Sequence, residues 1–246
     1  MAEVPMITGA VTVVLGDEEM SITVTVPSGP VPLTDLLPLF NRLSSALAER
    51  GAARDVERGR TISCCAGCGA CCRQPVPLAP AEARAMAALV AAMPEPRQGI
   101  VRDRFAAAQK TFAAAGVKVR GDGIFGPTAV EMRERVDAYM GANVSCPFLD
   151  DGSCSIYPDR PTVCREYLVT SPAANCASPE PETIARVELV ASVSTALATV
   201  DRDLEGVRRV LLVDSLDWVA EHPEPAPIRS GPELIQAVFA RLAPKN

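Results

Sequence analysis

The sequence predicts a mainly α fold with an N-terminal β-hairpin and a loop-rich cysteine centre formed by two separated segments. Three observations point there: an opening rich in β-branched residues with period-two alternation, several alanine- and leucine-rich stretches with helical spacing, and nine cysteines gathered mostly into two irregular segments. The 246 residues suffice for a well-buried core, and at 48% hydrophobic and 22% charged the composition is that of an ordinary globular chain. Twenty-four basic against thirty acidic residues give a net charge of −6, so no global field draws the chain to nucleic-acid phosphate or anionic lipid.

The elements follow in order. Ile7 to Leu15 and Ser21 to Val26 alternate apolar and polar residues around a GDEEM turn, which reads as a hairpin. Thr34 is placed to cap a helix carrying Leu36, Leu37, Phe40, Leu43 and Leu47, with Pro38 in its first turn and Gly51 at its end. Pro80 to Met93 and Gln98 to Ala115 are alanine-rich helices stopped by Pro94 and Gly116, and Pro127 to Met140 forms another, with Gly141 just past it. Helices are also expected over Glu180 to Thr199, Val207 to Glu221 and Pro232 to Leu242, the last opened by a Ser230/Glu233 capping box. The apolar stretch Val187 to Val200 is broken by Glu188 and is shorter than the ~20 residues a bilayer span needs, so it reads as a buried helix. The opening MAEVP has an acid where a secretory leader needs positive charge, and no apolar run follows. A cytoplasmic protein is therefore expected, with no nucleic acid and no membrane as partner. Its expected parts are residues 1–60 (hairpin and helix), 61–180 (the cysteine region) and 181–246 (helical packing).

The cysteines carry the chemistry. An odd number of them, with a single histidine and no export signal, argues against a disulfide framework and for thiolates holding metal. In Cys64 to Cys72 (CCAGCGACC), Cys65 and Cys68 stand at the two-residue spacing with which a tight turn aims two sulfurs at one ion, and Gly67 and Gly69 supply the turn. The second segment contributes Cys146, Cys154, Cys164 and Cys176 among four prolines. With Cys64 set aside as a core thiol, each segment offers four. These eight would fill two tetrahedral zinc sites, or one iron–sulfur centre plus a second set. Adjacent Cys71 and Cys72 point apart, so they are expected to serve two sites, or one site plus the core. Cys65, Cys68 and Cys71 with the distant Cys146-Pro147 also match ferredoxin-type ligation, while Cys64, Cys68 and Cys71 have radical-SAM spacing without the alternating strands and helices of that fold.

CAGCGACC at Cys65 to Cys72, followed by CPFLDDGSCSIYPDRPTVCREY at Cys146 to Tyr167, resembles the YkgJ-like cysteine-cluster family, a zinc- or iron-chelating domain written CxxCxxCC. The resemblance spans about Ser63 to Cys176. It implies that Cys65, Cys68, Cys71, Cys72, Cys146, Cys154, Cys164 and Cys176 are the metal ligands, with zinc or iron, including an iron–sulfur cluster, as cofactor. The family's functional association with flagellin lysine methylation implies an alternative, an iron–sulfur-dependent enzyme that modifies a protein. No glycine-rich turn for a methyl donor is present to support it.

Around the cysteines, Asp150 to Ser153 is expected to turn Cys154 back toward Cys146, and Asp159 and Arg160 to pair with Arg165 or Glu166. Arg73, Arg160 and Arg165 are the expected counter-charges to the thiolates. His222 reads as a helix C-cap rather than a ligand, and Trp218, Leu211, Leu212 and Leu216 as core. No nucleophile, base and orienting partner are legible together, so no catalytic residue is assigned. A protein partner is compatible with the exposed hairpin.

Overall fold

The structure is a computed structural model that describes residues 5–242 apart from 16–17, 122–123, 126–127, 178–179, 208 and 225; of 13–15, 18–20 and 181 it describes the backbone alone. The fold is mainly helical. Strands β1 (Met6–Leu15) and β2 (Glu18–Pro27) pair antiparallel in unbroken register, Met6 opposite Pro27 and Leu15 opposite Glu18. The period-two alternation puts Val24 and Val26 on the buried face. A short strand β3 (Pro30–Pro32) and a 3-10 turn at Leu33–Leu36 lead into α1 (Leu37–Glu57).

Thr34 lies inside that 3-10 turn and does not cap α1, while Pro38 does sit in the helix's first turn. Gly51 does not end α1 either. A Cβ there would meet Leu189 Cδ2 at 2.9 Å and Val187 Cγ1 at 3.0 Å, so this glycine allows another segment to lie against the helix, which runs on to Glu57.

After β4 (Pro77–Leu78) come α2 (Pro80–Ala91), α3 (Arg97–Ala114) and α4 (Ala129–Gly141). Helix α4 starts at Ala129, two residues later than expected, because Thr128 and Glu131 form a capping box, and Gly141 is its last residue; the expected start at Pro127 lies outside the described residues. The cysteine region then folds as β5 (Leu149–Asp150), β6 (Ser153–Cys154) and the short α5 (Thr162–Glu166). Helix α6 (Val193–Glu205), β7 (Val210–Leu211), α7 (Ser215–Glu221), β8 (Ile228–Ser230) and α8 (Gly231–Leu242) complete the chain.

Two helical expectations are corrected here. Residues 184–192 run without helix, with Val169 bridging Arg186, and α6 begins only at Val193. The start is fixed by Ser192 as N-cap and by Glu166, whose carboxylate accepts the N–H groups of Val193 at 2.6 Å and Ser194 at 3.1 Å. Likewise Val207 to Glu221 is not one helix. Val210 and Leu211 pair with Pro77 and Leu78 before α7 starts at Ser215. The Ser230/Glu233 capping box of α8 forms as expected.

Val24, Phe40, Leu47, Leu197, Leu234 and Val238 join the hairpin, α1, α6 and α8 in one core. A second core packs Val90, Val101, Phe105 and Trp218 against Phe148 and Ile156 of the cysteine region. Phe105 and Phe148 meet edge to face at 5.5 Å.

Buried carboxylates tie the two cores together. Glu82 of α2, 3% exposed, accepts the Thr162 N–H at 2.8 Å, the Thr162 hydroxyl at 2.7 Å and its own helix's Ala79 N–H at 3.1 Å. Asp201 of α6 accepts the Ala81 N–H at the start of α2 at 2.8 Å. Glu166, Glu82 and Asp201 thus cap α6, α5 and α2 from other elements, supplying acceptors to helix N-termini that carry free N–H groups. Burial pushes the Glu82 carboxyl up and raises that of Asp201 to about 7.

Candidate metal centre

The two cysteine segments are sewn together by backbone. Cys146 N–H donates to the Cys72 carbonyl at 2.7 Å, and Ser63 N–H to the Val169 carbonyl at 2.9 Å. In the first segment Cys68 N–H donates to the Cys65 carbonyl and Cys72 N–H to the Gly69 carbonyl, two successive tight turns. Gly67 takes φ +88°, a turn conformation that suits glycine, as expected. Gly69 has a different role: a Cβ there would lie 2.4 Å from the Gly152 carbonyl oxygen, so only glycine lets the first segment rest on the turn of the second.

That second turn is an Asp151-Gly152 pair with φ of +45° and +78°, which folds β5 onto β6 and places Leu149 opposite Cys154. Asp150 anchors it to α3 through Arg97 and Arg104, each at 2.5 Å, and the Arg104 hydrogen bond, with Arg97 behind it, holds the Asp150 carboxyl below the usual carboxylate range. The N–H of Phe148 hydrogen-bonds the Cys146 sulfur and that of Ile156 the Cys154 sulfur, in both cases two residues along the chain. Such N–H donors favour the charged thiolate, the form that binds metal.

All nine cysteines are free thiols, and together they line two adjoining cavities of about 60 Å³ each. The first is lined by Cys64, Cys65, Cys68, Cys71, Cys164 and Cys176. The second is lined by Cys68, Cys71, Cys72, Cys146, Cys154 and Cys164. Cys68, Cys71 and Cys164 therefore belong to both, with Tyr157 and Arg160 beside them. Among the described residues, no three His, Cys, Asp or Glu side chains are placed to grip an ion as they stand.

Thiol electrostatics reflect the crowding. Burial pushes Cys146 up to about 12, with the charges of Cys154 and Cys71 adding to it and the Phe148 N–H opposing. Cys164 is raised well above the usual thiol range by burial, and Cys71 by its hydrogen bond with Cys72 and then by burial. An ionised Cys71 would oppose ionisation of Cys64 and Cys176 in the first cavity and of Cys146 and Cys154 in the second.

The expected counter-charges divide. Arg160 lines both cavities, stacks over the Tyr157 ring at 3.9 Å, and keeps its Nε buried with no hydrogen-bond partner. Arg165 instead braces the loop, donating to the carbonyls of Arg160 and Pro158 and to Ser45. Arg73 is turned away to Asn143 at 3.1 Å. The expected pairing through Asp159 is replaced by these arginine-to-carbonyl bonds, and Glu166 faces Ser44, Ser192 and Ser194.

Three participants escaped the sequence reading. Cys64, expected in the core, is half-buried, lines the first cavity and accepts the Val169 N–H at 3.3 Å. Gln74 reaches across to Tyr167 Oη and the Cys176 carbonyl, both at 3.0 Å, holding the last cysteine in place. Glu82 anchors the N-terminus of α5, the helix that carries Cys164, from 80 residues away. Nothing in local spacing signals the last two. His222 lies apart from the cysteines, stacked on Trp218 at 4.5 Å with Nδ1 at 2.8 Å from the Trp218 carbonyl, consistent with its reading as a helix end.

The donor set fits zinc or iron. Sulfur ligands are what these ions take in thiolate sites, the i+2 N–H donors would stabilise thiolates at Cys146 and Cys154, and Arg160, which lines both cavities, has a buried N–H without a partner. No curated protein and no solved structure matches the chain. Residues 64–184, the cysteine-bearing segment, match the model of the CxxCxxCC family, described as "Putative zinc- or iron-chelating domain".

Proposed function

We propose that the chain is a cytoplasmic metalloprotein that holds zinc or iron through Cys65, Cys68, Cys71, Cys72, Cys146, Cys154, Cys164 and Cys176. The observation that carries this reading is the gathering of thiols from two distant segments around two adjoining cavities. The 73 residues between Cys72 and Cys146 form a long closed loop. The entropic cost of closing it grows only logarithmically with its length, whereas a structural zinc contributes ~10 kcal/mol or more. Binding metal would thus close the fold over residues 61–180. With four protein thiolates around an ion no coordination position stays open for a substrate, which favours a structural, sensing or carrier role over catalysis at the metal.

Elemental analysis and an ultraviolet–visible spectrum of untagged protein purified without oxygen test this reading. About two zinc per chain without visible absorbance supports paired thiolate sites. Iron with acid-labile sulfide and a brown chromophore moves the chain to an iron–sulfur protein, and binding of S-adenosylmethionine would then be measured by calorimetry. Protein free of both metals, which takes up neither when supplied, overturns the proposal.

A further inference from the structure

The two cavities are not independent. They share a wall made of Cys68, Cys71 and Cys164, and the same arginine lines both. We propose that the two cavities hold one coupled metal centre, in which a thiolate of the shared wall, Cys68, Cys71 or Cys164, bridges two ions, rather than two separate tetrathiolate sites. The inference rests on the metal reading above and adds how the ions are joined.

Three observations carry it. First, Cys68, Cys71 and Cys164 line both cavities, so a sulfur of any of the three is placed to reach an ion on either side. Second, charge favours sharing. Two divalent ions with eight unshared thiolates carry a net charge of about −4, and each bridging sulfur lets one thiolate be omitted and the charge fall by one. Arg160 is the one cationic side chain lining either cavity among the described residues, so a smaller anion is the better match. Third, Arg160 lines both cavities and keeps its Nε buried without a partner, and a guanidinium N–H so placed would donate to a bridging sulfur and stabilise it. No electron moves in this assembly. Each thiol that becomes a ligand gives its proton to solvent and its electron pair to the ion, and the bridging sulfur gives a pair to each of two.

Titration of the anaerobic, metal-free protein with Co²⁺ tests it, followed by native mass spectrometry and by electron paramagnetic resonance at low temperature. A bridged pair predicts that the two-cobalt species forms with little one-cobalt intermediate. It also predicts that the resonance per bound cobalt falls several-fold at two equivalents, because a shared sulfur couples the two spins antiferromagnetically. At least one of Cys68→Ser, Cys71→Ser and Cys164→Ser should abolish cooperative loading, whereas Cys65→Ser should leave the spin coupling in whatever pair still forms. A one-cobalt species that accumulates fully before the second ion binds, with a resonance proportional to cobalt up to two equivalents, overturns bridging and leaves the metal reading standing. The wild-type resonance decides the matter even if these variants do not fold. Failure to bind any Co²⁺, Zn²⁺ or Fe²⁺ overturns both.

Discussion

The helical body and the cysteine centre handle buried polarity in opposite ways. In the body, Glu82, Glu166 and Asp201 sit under the surface, and each meets backbone or hydroxyl donors at the start of another helix. In the centre, nine thiols crowd two small cavities, most of those with resolved shifts are raised chiefly by burial, and Arg160 Nε is buried without an acceptor. The difference teaches where each region's stability comes from. Partners within the chain complete these three carboxylates of the body, whereas the thiols of the centre would be completed by an ion that takes their electron pairs and releases their protons.

The sharpest way to break this contrast is to remove metal. Chelation, or Cys68→Ser or Cys154→Ser, is expected to lower bound metal and thermal stability together, by ~10 kcal/mol or more for complete loss of a structural ion. Metal analysis alongside calorimetry checks it, and wild-type metal content in both variants would refute a shared centre. The body should respond differently. Glu82→Ala leaves the N–H groups of Thr162 and Ala79 without their acceptor and should cost roughly 2–4 kcal/mol in denaturant unfolding, with a much smaller loss of bound metal than either cysteine variant, because Glu82 acts on Cys164 indirectly, through the start of α5.

Proton linkage sharpens the comparison further. The Asp201 carboxyl is raised to about 7 in the folded chain, far above its value in the unfolded one. A raised pKa means that its favourable contribution is complete below about pH 4 and is lost as pH climbs through about 7. Relative to Asp201→Asn, the wild type should therefore lose a few kcal/mol of stability over that window, as read from paired melting curves.

Gly69→Ala probes the seam between the segments. Its Cβ would press on the Gly152 carbonyl and on Leu149 Cδ1, so a cost of about 1–3 kcal/mol and weaker metal retention are expected. His222→Ala should do least, roughly 1 kcal/mol or less with metal content unaltered, since its imidazole bonds only the end of α7 and stacks on Trp218.

Much of the fold was legible from spacing. The hairpin, α2, α3 and α8 lie close to where alternation, alanine-rich propensity, proline and the Ser230/Glu233 box put them. The errors cluster where a distant group overrides the local signal. Glu166 and Ser192 delay α6 to Val193, pairing with Pro77 and Leu78 draws Val210 and Leu211 out of a helix, and the chain over Val187 to Leu189 uses Gly51 as a seat. At the site, the cysteines and the Asp151-Gly152 turn announced themselves, because turn geometry and ligand spacing are local. The roles of Cys64, Gln74 and Glu82 did not, because each depends on a partner about 80 to 105 residues away.

By itself, then, the sequence determined that the cysteines gather in two segments and that the hairpin, α2, α3 and α8 form where they do, since periodicity, capping and cysteine spacing act within a few residues. Tertiary structure alone decided that Cys68, Cys71 and Cys164 stand in a common wall, that Arg160 rather than Arg73 faces both cavities, and that Gly69 rests on Gly152. The physical reason is that charge neutralisation and close approach depend on distance in space, and only the packing of α2, α3, α5 and α6 sets those distances.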